Sequence, residues 1–270
     1  MATFGSGATA KDAVGAEAVY VWGQSNSLIH EPEAVIDRVS KVGISKIYLA
    51  WGPLKSASEA RIETFIQRCH NTEIEVCALL GLTGWEAGPS AQTELSHIAA
   101  YNSEYVSFDG VQLDIEPGGD VAPDYGPWLS ELYVGLLDSL TGLRLPAVEV
   151  AIAPWWFDRA PAAAKEVRDH GTVDGIVVMS YADVYTSAAG GSVKQKLNRS
   201  LEGSEKPYYA ALEFQDPDRV EGLAEGTTLY GQRERTAEII RRLDGDPPGN
   251  GTGAYSGIAF HYYPYLDILS

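Results

Sequence analysis

The chemistry in this sequence concentrates in the segment GVQLDIEP, residues 110 to 117. Successive residues of a β-strand face opposite ways, so as a strand it shows an aliphatic face of Val111, Leu113 and Ile115 and a polar face of Gln112, Asp114 and Glu116. Two carboxyl groups two residues apart and out of water disfavour each other's ionisation. Burial and the neighbouring anion both raise their pKa values. Burying such groups costs several kcal/mol unless they are hydrogen-bonded, paired or neutral, and function is the commonest compensation. The same alternation groups Met179, Tyr181 and Asp183 in GIVVMSYAD, Tyr209, Ala211 and Glu213 in PYYAALEF, and Ala259, His261 and Tyr263 in GIAFHYYP. In the segment from Val148 it separates Glu149, Ala151, Ala153 and Trp155 from Val148, Val150 and Ile152.

Aromatic residues add a second pattern. Trp22, Trp51 and Trp155 close apolar segments, and Trp85 and Trp156 fall in the loops just beyond. Flat aromatic faces stack on the apolar faces of sugar rings and attract cations, so this set predicts a binding rim. Trp128 falls on a helical segment and is expected in the core. His30, His70, His97 and His170 lack ligand spacing, and Cys69 and Cys77 read as ordinary buried thiols. No Ser-His-Asp or Cys-His arrangement is evident. AVYVWGQSNS, residues 18 to 27, runs through the first apolar segment and past it without a glycine-rich phosphate loop, and no metal or cofactor is expected.

The elements that must position these residues recur along the whole chain. Eight apolar segments rich in Val, Ile and Tyr start at residues 18, 46, 74, 110, 147, 175, 207 and 257. Between them lie segments with helical spacing, such as EPEAVIDRVSKVG and SEARIETFIQRCH. This alternation predicts an α/β fold, a (β/α)8 barrel forming a single domain over residues 1–270. Only YLDILS remains after the eighth strand, so the eighth helix is expected to be short or missing, with the N-terminal segment covering that gap or the barrel bottom. The acidic residues then stand at the C-terminal ends of their strands, the rim where barrel enzymes build their sites. With 45% hydrophobic and 21% charged residues the chain is globular, and 28 Gly and 14 Pro without a repeat exclude a collagen-like structure. A net charge of −17 makes nucleic acid and anionic membranes poor partners. The start has neither a basic nor an apolar leader region, which gives a cytoplasmic expectation, or a secreted one if a leader was removed.

The segment FDGVQLDIEP, Phe108 to Pro117, resembles the signature of family 18 glycoside hydrolases, the chitinases and their relatives, whose fourth strand carries D-G-x-D-x-D-x-E. Asp109, Gly110, Asp114 and Glu116 match, while Gln112 replaces the middle aspartate. VMSYAD, Val178 to Asp183, is similar to that family's Met-x-Tyr-Asp, with the aspartate displaced by one. His261, Tyr262 and Tyr263 stand where the family ends strand eight in tryptophan. The chain also resembles bacterial barrel proteins of unassigned function with LDIEP on strand four, a glutamate ending strand seven and AxHxY on strand eight. That second likeness carries the fold further than the reaction.

The first resemblance implies a glycosidase acting on an N-acetylated or related sugar, small or oligomeric. It makes Glu116 the general acid, has Asp114 hold and polarise the acetamido group, and gives Tyr181 a hydrogen bond to the substrate carbonyl or to the developing charge. Water would then open a cyclic intermediate without a second nucleophilic carboxylate. Trp22, Trp51, Trp155, Gln112, Asp183, Glu213, His261 and Tyr263 are the expected substrate-binding residues. A Glu213 carboxyl about 5 Å from Glu116 would instead make a conventional retaining pair. Three other classes remain open. One is a lyase or isomerase with Asp114, Glu116 and Glu213 around Mg2+ or Mn2+ and His261 as base. Another is a cyclase that stabilises a carbocation, and the third is a catalytically idle sugar-binding barrel, against which the intact Glu116 argues.

Overall fold

A computed structural model describes residues 16–22, 28–118, 125–143, 145–186, 191–216, 218, 228–245, 247–248, 253–261 and 263–264. Eight parallel strands, β1 (Ala16–Val21), β2 (Lys46–Ala50), β3 (Glu75–Thr83), β4 (Gly110–Glu116), β5 (Ala147–Ile152), β6 (Gly175–Met179), β7 (Tyr208–Glu213) and β8 (Tyr255–His261), pair in sequence order. β8 pairs with β1 and closes the ring. The expected (β/α)8 barrel is therefore the observed one. The residues expected to bear on an eighth helix or a bottom cover, 265–270 and 1–15, lie outside the described ones.

Helices lie between the strands as the spacing predicts. In α1 (Pro32–Lys41) proline occupies the first turn, where its missing N–H is no loss, and Gly43 just beyond the end has φ +80°, the left-handed conformation that closes helices. In α2 (Glu59–His70) the buried face is Ile62, Phe65, Ile66 and Cys69, one stripe at helical period. The other longer helices are α3 (Ala87–Glu104), α4 (Val134–Leu140) behind a π-helical stretch Trp128–Tyr133, α5 (Pro161–Asp169), α6 (Val193–Leu201) and α7 (Arg233–Gly245). Ser192 and Gln195 close a capping box at the start of α6. No described helix is long and apolar enough to cross a membrane.

Register decides what enters the barrel, because residues paired across parallel strands share a face. The pairs Tyr20 with Tyr48, Leu79 with Gln112, Gly81 with Asp114, and Glu213 with His261 all point inward. Val111, Leu113 and Ile115 are fully buried in the outer core beneath the helices, as their aliphatic character predicts. Trp128 joins that core with Trp156 and Tyr133. At the N-terminal end the barrel is plugged by a paired charge: Lys46 Nζ donates to Glu149 Oε1 at 2.9 Å and the Tyr48 hydroxyl to Oε2 at 2.6 Å. Glu149 is thus a structural carboxylate, away from the rim. Both cysteines are buried and free, and burial pushes the Cys69 thiol up to about 12, so neither offers a ready thiolate.

Candidate active site

At the C-terminal end of the strands a cavity of about 430 Å³ opens, with Asp114, Glu116, Trp22, Tyr181 and His261 in its walls. The volume is that of a small-molecule site. β4 supplies both acids because its polar face turns inward. Asp114 is 7% exposed; burial, and then the charge of Glu116, raise its carboxyl to about 7. Its Oδ1 has no hydrogen-bond partner. Glu116, the last residue of β4, reaches the mouth and is exposed, and the desolvating wall around it raises its pKa. One layer deeper, fully buried Gln112 donates from Nε2 to the Tyr20 hydroxyl, and its Oε1 is unpartnered. The strand therefore offers two unsatisfied acceptors and two carboxyls whose protons are held at higher pH than usual.

The opposite side is built by the ends of β7 and β8. Glu213 is 3% exposed and fully engaged: Oε1 accepts the backbone N–H of Phe214 at 2.8 Å and of Gln215 at 2.7 Å, and Oε2 lies 2.6 Å from His261 Nδ1. The Gln215 side-chain amide also reaches Nδ1, at 3.2 Å. Trp22 Nε1–H donates to His261 Nε2 at 2.6 Å. Tyr181, just beyond β6, stacks on the imidazole with ring centroids 5.8 Å apart. Burial and the charge of Glu213 push its hydroxyl well above its ordinary range, so it stays a proton-bearing donor.

Several residues expected at this site lie elsewhere. Trp51 begins a short helix, Trp51–Leu54, and is buried among Tyr101 and Phe108 with its N–H on Glu94 at 3.0 Å. Ala50 has the inward parity, so the next residue turns out toward the helices. Trp155 follows Pro154, where the chain leaves the sheet, and packs edge-on against Tyr125 with the Arg159 guanidinium 5.5 Å from its ring. Asp183 is two residues past Tyr181 and pairs with Arg235 at 2.6 Å, in a separate cleft of about 750 Å³ beside Asp216 and Tyr230. Tyr263 is buried in the outer core under the Arg38 guanidinium, 4.6 Å from its ring. Trp85 is partly buried against the same core. Among the described residues, Trp22 is the tryptophan that lines the cavity, so the expected aromatic rim reduces to one indole with Tyr181.

Gly81, Leu82, Thr83 and Gln215 line the cavity as well and were not singled out from the sequence. Gly81 carried a legible signal, because a glycine inside a strand often marks a close approach. A Cβ there would stand 2.5 Å from Cζ3 of Trp22. Gly81→Ala should therefore tilt the indole or strain β3, costing about 1–3 kcal/mol. Chemical denaturation of the variant measures that cost, and an unchanged midpoint would show that the indole has room to move.

Among the described residues no three His, Cys, Asp or Glu side chains are placed to share a metal ion. The trio Asp114, Glu116 and Glu213 is not assembled as ligands, because the Glu213 oxygens are engaged from the protein side.

No protein-family model and no curated protein matches the chain. Solved structures share its fold. The GH99 endo-alpha-mannosidase from Bacteroides thetaiotaomicron superposes with a TM-score of 0.55 at 10% identity, covering 90% of this chain and 72% of that one. An active-site mutant of Rhizomucor miehei beta-1,3-glucanosyltransferase gives 0.54 at 12% identity, covering 91% and 86%. A GH113 beta-1,4-mannanase gives 0.53 at 10%, covering 90% and 87%. The family 18 likeness of β4 is not carried by these matches. At such identities they establish one thing, that the chain has the (β/α)8 barrel architecture on which these sugar-processing enzymes are built.

Proposed function

We propose that this protein is a glycoside hydrolase acting on an N-acetylated or closely related sugar, with Glu116 as general acid and Asp114 assisting. The observation that supports it best is the pairing, at a barrel rim, of a buried carboxyl near pKa 7 bearing an unpartnered oxygen with a second carboxyl of raised pKa two residues along the strand. Protonated Glu116 gives its proton to the glycosidic oxygen as the bond to the anomeric carbon breaks. The substrate's own acetamido oxygen closes on that carbon, and Asp114 takes the acetamido N–H on Oδ1, which no protein group fills. Tyr181 donates to the acetamido carbonyl. Ionised Glu116 then removes a proton from the water that reopens the ring, which restores the acid. Stacking of a sugar face on Trp22 places the bond between these groups. A conventional retaining pair of Glu116 with Glu213 gains no support, because the second carboxylate is held by two backbone N–H groups and an imidazole.

Chromogenic N-acetylated chito-oligosaccharides test the proposal. Release of the chromophore, with far less release from the matching glycosides that lack the acetamido group, is the expected result. Equal turnover of both would remove the acetamido participation, and turnover of neither would remove the glycosidase reading.

A further inference from the structure

Trp22 is the residue after β1, yet its orientation is set from the other side of the cavity. Three features act on the indole. Gly81 leaves the space its six-membered ring occupies. Tyr20 stacks on it, with centroids 5.9 Å apart and planes within 16°. Its one polar atom ends a chain of hydrogen bonds that starts in the backbone: the N–H groups of Phe214 and Gln215 hold Glu213, Glu213 holds His261 Nδ1, and His261 Nε2 accepts the indole N–H.

The chain has a direction. An indole N–H only donates, so Nε2 must be the bare nitrogen and the imidazole proton must lie on Nδ1, facing Glu213, with the Gln215 amide nitrogen 3.2 Å from Nδ1 as a neighbour that does not donate to it. A carboxylate placed against Nδ1 selects that tautomer. Each bond requires the next, and the last one fixes the plane of the ring that faces the cavity. Tyr181, stacked on the imidazole, keeps it from turning. We infer that Glu213 and His261 are positioning residues, whose role is to hold the Trp22 indole as the stacking wall for the sugar. This deepens the hydrolase reading and rests on it. A ring fixed in advance need not be ordered when the ligand arrives, and affinity gains accordingly.

The bond can be observed directly in 15N-labelled protein. It should give a scalar coupling between the Trp22 indole nitrogen and His261 Nε2, with the indole proton shifted downfield and slow to exchange; Trp22→Phe identifies the resonance. Binding of N,N′-diacetylchitobiose, followed in a Glu116→Gln background so that turnover plays no part, should weaken about tenfold in His261→Phe. His261→Gln, whose side-chain oxygen can accept the indole N–H, should recover much of that loss. In the Glu116-intact enzyme the His261→Phe change should appear mainly in KM, with a smaller effect on kcat. Absence of the coupling in the unmutated protein overturns the inference whether or not any sugar is cleaved. Undiminished binding by His261→Phe overturns it even with the coupling present. The hydrolase reading fails separately, on absence of turnover by the unmutated protein.

Discussion

Glu116→Gln should lower turnover of an N-acetylated chito-oligosaccharide by about three orders of magnitude, within the range of about 10²–10⁴ that a general acid supplies. An amide of the same shape keeps the contacts of the carboxyl but has no proton to give to the departing oxygen. The loss should shrink when the leaving group is a nitrophenolate, which departs without protonation, and stay large for a natural sugar leaving group. That dependence separates a proton donor from a residue that only binds. Folding should be nearly unaffected, because Glu116 stands exposed at the mouth of the cavity and exposed substitutions usually stay within about 0.5 kcal/mol. Equal losses with both leaving groups would take Glu116 out of the acid role.

Asp114→Asn should trade activity for stability, in a manner that depends on pH. The unfolded chain loses the Asp114 proton near the ordinary value of 3.8, whereas the folded protein keeps it to about 7. Between those values the folded state binds more protons, so the contribution of Asp114 to stability declines as pH rises and has fallen by about 4 kcal/mol above pH 7. Asparagine has the same shape and no charge to bury. The variant should match the unmutated protein at pH 4 and exceed it by up to about 4 kcal/mol at pH 8, as read from urea unfolding. Under the proposed mechanism the same variant should lose most of its activity, since an amide cannot polarise the acetamido group as the Asp114 carboxylate would. A stability difference that does not grow with pH would show that Asp114 titrates normally and that the site lacks the electrostatic strain ascribed to it. Such a trade is common where a site keeps a group that the fold would be more stable without.

The orientation of β4 was legible because its two faces differ so sharply: three aliphatic residues can only face the helices, and parity then puts Gln112, Asp114 and Glu116 inside. Register carried the same reasoning to Glu213 and His261. The ring closure was legible from eight alternating segments within one barrel's length. Residues at strand ends were harder, since parity stops applying where the chain leaves the sheet. Trp51 turns outward one residue after the inward Ala50, Trp155 follows the departure at Pro154, and Asp183 and Tyr263 are carried to Arg235 and Arg38 by loops whose course no periodicity encodes. The state of Glu213 was also hidden, because its bonds to two backbone N–H groups depend on the turn after β7 and not on residue type. Gly81 shows the reverse case, where one residue type announces a close approach but not which ring makes it.

The proposed chemistry requires β4 to hold protonated acid inside a walled cavity at working pH. Carbon-13 titration of the Asp114 side-chain carboxyl, assigned by its loss in Asp114→Asn, measures this directly. A midpoint of about 7 is expected, with Glu116 titrating above the ordinary glutamate value. A midpoint near 4 for Asp114, the value of a carboxyl in water, would contradict the burial and the chemistry built on it.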